Sequence, residues 1–302
     1  ADTQGIGEGF GRAVDAVNRF IGHYVPADDP DPQDTEQRRR GFVRARLFLD
    51  GVTRMLITAR RAGGSAPDAN LLDTMLRAQA GGGSPMPGAG PGVRGHSVPD
   101  SLSDTDLRDQ VLTLVMAGHE TTAKALTWTL YLLDRHPEEA ERLREEVDRA
   151  LAGRTPTAAD LSALPRCRRA VQEAMRLYPP VWLISRRAAD ADIIGGYDVE
   201  PGTLVCVSQW VLHRHPAYWD APEEFRPDRF TSADLPSHLY LPFGGGDRIC
   251  IGQHFAMAEA TLVLAVLMQT VRLRLVPGHP VEPEALVTLR PRHGMHMLAA
   301  AR

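Results

Sequence analysis

The ten residues 243–252, Phe-Gly-Gly-Gly-Asp-Arg-Ile-Cys-Ile-Gly, constrain this chain more than any other stretch. They place Cys250 directly after a glycine-rich turn, which allows the backbone to approach a flat object closely. They also place it just before an apolar run, Phe255 to Val271, that predicts a helix. A thiol at a helix N-terminus meets unpaired N–H groups and the positive end of the helix dipole. Its thiolate form is therefore favoured and can bind a metal.

The spacing of the cysteines limits the kind of metal site that Cys250 can serve. No second Cys lies two to four residues away in the sequence, which excludes a zinc ribbon and an iron–sulfur run. What remains is an iron whose other ligands are not protein groups, and haem fits. Two other interpretations stay open for the stretch taken alone. One is a dinucleotide-binding loop, although the G-x-G-x-x-G spacing is absent, and the other is a structural loop with an inert buried Cys.

Composition excludes some classes of partner. The chain has 302 residues, a net charge of -4 and no concentrated basic face, so we expect no nucleic-acid partner. Its three cysteines are odd in number and widely spaced, which predicts a reducing, cytoplasmic compartment rather than a disulfide framework. Cys206, in an apolar stretch, is predicted to lie in the core of a strand. No apolar run reaches the length of about 18 residues that a membrane span needs, so no membrane segment is evident.

The predicted fold class is mainly α with small β-sheets (α+β), in a single domain over residues 1–302. Ser103 offers an N-cap for the longest helix, and nothing breaks its apolar pattern before Pro137. Residues 81–100, rich in Gly and Pro, predict a flexible loop. Alternation and turn signals predict short strands over 181–208 and 272–299. Helical spacing predicts helices over about residues 6–23, 35–61, 71–80, 104–136, 138–151, 161–177 and 255–271.

The longest predicted helix carries a second unusual stretch, Ala-Gly-His-Glu-Thr-Thr at 117–122. Its side chains are small or polar although the surrounding stripe is apolar. The Thr121 hydroxyl can bond back to the carbonyl of Ala117 and locally open the helix. A groove lined by Ala117, Gly118 and Thr121 would admit a small ligand. For the helix taken alone, the alternative is an ordinary helical threonine beside a solvated Glu120.

Two of these stretches resemble motifs of one family. The pattern Phe-x-x-Gly-x-Arg-x-Cys-x-Gly is similar to the haem-thiolate loop of the cytochrome P450 family. The pattern Ala-Gly-x-Glu-Thr at 117–121 is similar to the oxygen-activation motif of the same family. The first pattern is highly specific, and it is matched at Phe243, Gly246, Arg248, Cys250 and Gly252.

Two weaker signals agree with this resemblance in order along the chain. Glu173-Ala-Met-Arg176 fits the Glu-x-x-Arg pair of the family, and its place before Pro179-Pro180 distinguishes it from other pairs with this spacing. Arg229 resembles the third member of that network. Two arginines and one carboxylate can form a bidentate lattice that survives burial. The resemblance assigns Glu173, Arg176 and Arg229 a structural role, in which they clamp the segment that carries Cys250.

The resemblance implies the cytochrome P450 fold, represented by its C-terminal two-thirds, and the family's N-terminal region is expected to be missing. It implies heme b (iron protoporphyrin IX) as cofactor, with Cys250 as the axial thiolate. Glu120 and Thr121 would relay protons. Arg186 would bind a propionate, with Arg187 as the alternative. The implied cofactor-binding residues are Ala117, Gly118, Thr121, Arg186, Phe243, Gly244, Arg248, Cys250, Ile251, Gly252 and Ala256.

The implied reaction is the insertion of one oxygen atom from O2 into a hydrophobic small-molecule substrate. Electrons would come from a ferredoxin with its ferredoxin reductase, or from a similar donor. The alternative is a truncated haem-binding or haem-free remnant without turnover. The His213-x-His215 pair lies in a Pro-rich segment that resembles irregular chain of the family, so we interpret it as structural rather than as a metal site.

Overall fold

The computed structural model describes residues 3–22, 32–63, 70–80, 102–232 and 236–302. The flexible loop predicted over 81–100 lies outside these described residues. The chain divides into two compact units, Ala1–Ala117 and Gly118–Arg302, and one helix runs from the first into the second. The single domain predicted over residues 1–302 stays a prediction.

The first unit is built from helices, α1 (Thr3–Gly22), α2 (Pro32–Ala62), α3 (Leu71–Gln79) and the first half of α4 (Asp104–Arg135). Val14 and Val17 of α1 pack with Leu49 of α2 in a small apolar core. Helix α2 begins three residues earlier than predicted, because its proline occupies the first turn, where proline is favoured.

Helix α4 has the predicted length of 32 residues, since both ends carry local signals. The Ser103 hydroxyl accepts the Asp106 N–H at 3.1 Å, and the Asp106 carboxylate accepts the Ser103 N–H at 3.1 Å. This reciprocal pair is a capping box, which satisfies donors that the first turn leaves unpaired. In the second unit, Ala125, Trp128 and Leu132 form the buried face of α4.

The second unit surrounds the larger apolar core with α4, α5 (Pro137–Leu151), α6 (Pro165–Leu177) and α8 (Gln253–Thr270). A short helix, α7 (Gln209–Leu212), lies between α6 and α8 in the chain. Helix α6 begins later than predicted, and a separate 3-10 helix covers Ala158–Ala163. Two features determine where α6 begins. A proline occupies its first turn, and the Glu146 carboxylate accepts the N–H groups of Arg166 and Cys167 at 2.9 Å.

Within the described residues, the strands form four two-stranded antiparallel sheets, which pair β1 with β4, β2 with β3, β5 with β8, and β6 with β7. The predicted class of mainly α with small β-sheets is confirmed. None of the described helices is long and apolar enough to cross a bilayer. The strands are β1 (Ile184–Arg187), β2 (Asp192–Ile194), β3 (Tyr197–Val199), β4 (Leu204–Val207), β5 (Val271–Leu275), β6 (Pro283–Ala285), β7 (Leu289–Pro291) and β8 (Met297–Ala301).

One prediction about the strands is wrong. Cys206 lies on β4 as expected, but it is exposed rather than in the core. Leu204 and Val207 of the same strand are exposed too. An apolar sequence predicts a strand. Burial of that strand also requires another layer of structure packed on its face, and the two-stranded sheet of β1 and β4 leaves these three side chains exposed.

Candidate active site

The Cys250 loop is closed by backbone hydrogen bonds. The Cys250 N–H donates to the Phe243 carbonyl at 2.9 Å, and the Gly244 N–H donates to the Leu241 carbonyl at 3.0 Å. Gly244 and Gly246 have φ values of +72° and +65°, in the left-handed region. Because side chains with a Cβ rarely adopt that region, glycine is required for this turn. The sequence therefore produces a tight loop that presents Cys250 just before α8.

The thiol of Cys250 lies in an exposed apolar surface. Cys250 itself is exposed, and the neighbouring Ile249, Ile251 and Phe255 are 44%, 85% and 72% exposed. Contiguous exposed apolar side chains mark a surface that another group covers. Cys250 also lies directly before the first turn of α8. The loop thus combines a sulfur donor with an apolar rim.

A surface cavity of about 810 Å³ adjoins this loop, and Phe243 and Ile249 of the loop are among its lining residues. It is lined by residues 244–246, by Gln172 of α6 and by Met257 of α8. Cys250 and Arg248 are not among its lining residues.

The candidate arginines lie on separate elements. Arg248 ends the short 3-10 turn before Cys250 and is exposed. Arg186 and Arg187 are both exposed on β1, and their guanidinium groups donate to the carbonyls of Ser185 and Gly202 at 2.9 and 2.6 Å. Successive strand residues point to opposite faces, so only one of these two arginines can face a given group.

The motif at 117–121 has an open side and a closed side. Ala117 and Gly118 are exposed, whereas Thr121 is half-buried and Glu120 is 7% exposed. The alternative of a solvated Glu120 is therefore wrong. The Thr288 hydroxyl donates to Glu120 Oε1 at 2.9 Å, and Lys124 Nζ lies 4.0 Å from the same oxygen. A buried carboxylate needs such partners, because desolvation without them is costly.

Thr288 lies on a turn between β6 and β7 that three hydrogen bonds hold in place. The indole N–H of Trp182 donates to the Leu286 carbonyl at 2.8 Å, and that of Trp128 donates to the Leu289 carbonyl at 3.2 Å. The Leu289 N–H donates to the Pro180 carbonyl at 2.9 Å. The turn therefore holds the Thr288 hydroxyl against α4. Sequence reasoning missed Thr288, because no motif marks a residue 168 positions from its partner.

Glu173, Arg176 and Arg229 come together as the sequence predicted. Arg176 donates from Nε to Glu173 Oε2 and from Nη2 to Oε1, both at 2.8 Å, and both side chains are fully buried. Arg229 Nε donates to Glu173 Oε1 at 3.2 Å. This paired geometry offsets the cost of burying the charges.

The remaining contacts of this network lead to an irregular segment rather than to the Cys250 loop itself. Arg176 donates to the carbonyls of His213 and Pro222 at 2.8 and 2.7 Å, and to that of Glu224 at 3.0 Å. Arg229 donates to the Ala221 carbonyl at 2.5 Å. The Arg226 N–H also donates to Glu173 Oε1 at 2.9 Å, so the network fixes residues 213–226 directly.

His213 makes the next connection. It is fully buried, and its Nε2 accepts the Leu241 N–H at 2.9 Å. Burial, aided by the nearby charge of Arg176, lowers the pKa of His213 to about 4. His215, its partner in the His-x-His pair, is exposed and accepts the Ala217 N–H at Nδ1. Only the apolar spacing around His213 could have indicated its burial from the sequence.

The donor set fits a haem iron. In the described part of the chain, no three His, Cys, Asp or Glu side chains come together as metal ligands. Cys250 therefore offers a single sulfur donor within an apolar rim, which suits an iron whose equatorial ligands come from a porphyrin. Of the other thiols, Cys167 is buried, and burial raises its pKa well above the usual range, so it is inert.

The cytochrome P450 family model matches residues 13–297. The chain belongs to the cytochrome P450 family. Membership implies a haem cofactor, in agreement with the exposed sulfur and its apolar rim. The resemblance inferred from the Cys250 loop is thereby confirmed.

Several relatives in the cytochrome P450 family are similar to this chain. Cyclooctatin synthase from Streptomyces melanosporofaciens is 43% identical over 192 residues, which are 63% of this chain and 42% of that protein. Cyclooctat-9-en-7-ol 5-monooxygenase from the same organism is 37% identical over 242 residues, 79% of this chain and 49% of that protein. Chloroplastic carotene epsilon-monooxygenase from Arabidopsis thaliana is 38% identical over 210 residues, 67% of this chain and 39% of that protein. This chain spans less than half of the length of each of these relatives.

Proposed function

We propose that this chain carries the haem-thiolate site of a monooxygenase, in which the Cys250 thiolate would hold the iron of heme b (iron protoporphyrin IX). The observation that carries the proposal is the exposed Cys250 thiol in a glycine-rich loop, rimmed by exposed Ile249, Ile251 and Phe255. A porphyrin is flat and mostly apolar, so such a rim complements its face. The reaction is the insertion of one oxygen atom from O2 into a hydrophobic substrate.

The residues around the loop hold the cofactor. Phe243, Gly244, Ile251, Gly252 and Ala256 contact its apolar face, since they lie in the loop or in the first turn of α8. Their small or apolar side chains leave room for a flat ring. The haem, when bound, supplies the iron chemistry that activates dioxygen.

Two arginines bind the polar edge of the cofactor. Arg248 precedes Cys250 by two residues, and Arg186 lies on β1. Both guanidinium groups are exposed in the described structure, and each can form charge-assisted hydrogen bonds with a propionate. Arg187 is the alternative to Arg186.

Helix α4 would supply the proton path. Exposed Ala117 and Gly118 leave space for small molecules beside Thr121. Glu120 and Thr121 pass protons through water, as general acids. The hydrogen bond from Thr288 and the nearby Lys124 support this role, because they orient one carboxylate oxygen of Glu120.

The substrate and the partners follow from the same assignment. Carotene epsilon-monooxygenase is named for a hydrocarbon, and this supports a hydrophobic substrate for the present chain. Two electrons come from a ferredoxin with its reductase, or from a similar donor. The free thiols of Cys167, Cys206 and Cys250 support a reducing compartment such as the cytoplasm. A truncated remnant without turnover is not favoured, because Glu120, Thr121 and Cys250 are all retained.

The visible spectrum of the reduced holoprotein under carbon monoxide tests the proposal. A strongly red-shifted Soret band is expected, because a thiolate ligand donates electron density to the iron. Cys250→Ala is expected to remove this band while most helical content remains. Cys206→Ala is the matched control, since it removes another exposed thiol, on β4. An ordinary haem band in the wild type, or no band at all, would contradict the proposal.

A further inference from the structure

We propose that His213 is a positioning residue for the thiolate ligand: by accepting the Leu241 N–H, it holds the backbone that enters the Cys250 loop. This inference rests on the proposed haem-thiolate function. It deepens that function by adding a residue that none of the recognised motifs contains. The supporting observation is a chain of hydrogen bonds from the buried Glu173–Arg176 pair to the loop.

The first part of this chain fixes His213 itself. Its N–H donates to the Gln209 carbonyl at 2.9 Å, at the end of α7. Its carbonyl accepts Arg176 Nη1 at 2.8 Å. The side chain is fully buried, and its ring packs against Tyr240 and Trp219, with ring centres 5.3 and 6.4 Å away. Backbone and imidazole are therefore both immobilised.

The second part connects the imidazole to the loop. Nε2 accepts the Leu241 N–H at 2.9 Å. Pro242 has no N–H, so Leu241 is the last main-chain donor before Phe243. The Leu241 carbonyl accepts the Gly244 N–H at 3.0 Å, and the Phe243 carbonyl accepts the Cys250 N–H at 2.9 Å. A displacement of Leu241 is thus transmitted to Cys250 through two further hydrogen bonds.

The protonation state of His213 suits this role. Accepting a hydrogen bond at Nε2 requires the neutral ring with its proton on Nδ1. The guanidinium groups of Arg176 and Arg214 lie nearby, and with burial they keep the pKa of His213 low, at about 4. The acceptor is therefore present throughout the neutral range.

Two variants at His213 distinguish a role in positioning the loop backbone from a role in filling the apolar core. His213→Leu fills the space but leaves the Leu241 N–H without an acceptor, whereas His213→Gln keeps an acceptor in the side chain. The readout is the rate at which the red-shifted Soret band converts to the ordinary haem band in the reduced carbon monoxide complex, at equal haem content. We expect roughly tenfold faster conversion in His213→Leu, the effect of one unsatisfied buried donor. His213→Gln is expected to restore most of the lifetime.

Tyr240→Phe is the matched control. It removes a hydrogen bond of the neighbouring side chain, from the Tyr240 hydroxyl to the Gln172 carbonyl at 2.8 Å, and it leaves the Leu241 N–H untouched. This variant is expected to lower stability without changing the lifetime of the red-shifted band. Equal lifetimes in wild type and His213→Leu, or the same shortening in Tyr240→Phe, would overturn the inference alone. A wild type without the red-shifted band would overturn the proposed function and the inference with it.

A direct measurement covers the case in which His213→Leu fails to fold. Nitrogen NMR of wild-type holoprotein with labelled histidine reports which ring nitrogen of His213 carries the proton. The inference expects a protonated Nδ1 and an unprotonated, hydrogen-bonded Nε2. A protonated Nε2 would contradict it, since that nitrogen could not accept the Leu241 N–H.

Discussion

The Glu173–Arg176 pair and the Cys250 loop belong to the same unit, but the chain surrounds them to very different degrees. The pair is fully buried, with hydrogen bonds to both carboxylate oxygens. The loop presents an exposed thiol with Ile251 85% exposed beside it. Groups whose hydrogen bonds are satisfied within the chain stabilise the fold, whereas groups left open to a ligand carry chemistry.

His213 and Glu120 form a third group. Each is buried, and each has a hydrogen bond to a distant element, Leu241 for His213 and Thr288 for Glu120. They connect the closed part of the unit to the open part. The expected effects on stability therefore decrease from the Glu173–Arg176 pair, through these connecting residues, to the exposed side of α4.

The largest effect is expected at the buried pair. Arg176→Ala leaves the Glu173 carboxylate buried without its main partner, which costs about 3–5 kcal/mol. Urea unfolding and the yield of folded protein measure the loss. Arg226→Ala is the control, because its guanidinium pairs with Asp220 at an exposed site, 48% and 86% exposed, where little stability is expected to be lost. A loss below about 1 kcal/mol in Arg176→Ala would contradict the contrast between the two regions.

The second effect is a pH dependence that His213 imposes. Its pKa is about 4 in the folded chain and 6.5 for the ordinary group, so between these values the unfolded chain binds a proton that the folded chain does not. Stability from this group therefore falls as the pH falls from 6.5 to 4, by on the order of 3 kcal/mol. Thermal unfolding of wild type and His213→Gln over this range measures it. Parallel curves for the two proteins would contradict the assignment.

The third effect concerns the connection between α4 and the turn at Thr288. Thr288→Val removes the donor to Glu120 with little change of shape, so we expect a loss of about 1–2 kcal/mol and more peroxide per electron consumed. Thr129→Val, on α4, is the control, since its buried hydroxyl donates to the Ala125 carbonyl within the same helix at 2.7 Å. Stability and peroxide are measured for both. An unchanged peroxide yield in Thr288→Val would separate this hydrogen bond from proton delivery.

The smallest effect on the fold is expected at Thr121, on the open side of α4. Thr121→Ala is expected to retain the red-shifted carbon monoxide spectrum and to divert electrons to peroxide. Product formed per electron falls roughly tenfold or more, because a positioned proton donor is lost. Peroxide and product are measured against reductant consumed. Undiminished coupling of electrons to product would count against the proton relay.

The sequence predicts the structural features that depend on residues close together in the chain. Helix α4 was predicted over its full length, because Ser103 and Pro137 mark its ends. The Cys250 loop was recognised because its glycines and arginine lie within ten residues of one another. Burial in two-stranded sheets is not a local property, and for this reason the prediction for Cys206 was wrong.

The long-range hydrogen bonds of His213 and Glu120 were missed for the same physical reason. His213 and Leu241 are 28 positions apart, and Glu120 and Thr288 are 168 apart. No periodicity or spacing in the sequence records such pairs, since the fold alone brings them together. The sequence thus identifies the open site, and the structure identifies what holds it in place.

X-ray absorption at the iron edge of the holoprotein identifies the atoms bound to the metal. One sulfur ligand is expected in the wild type and in Cys206→Ala, and none in Cys250→Ala. An iron without sulfur in the wild type, or a sulfur ligand that persists in Cys250→Ala, would show that Cys250 is not the ligand.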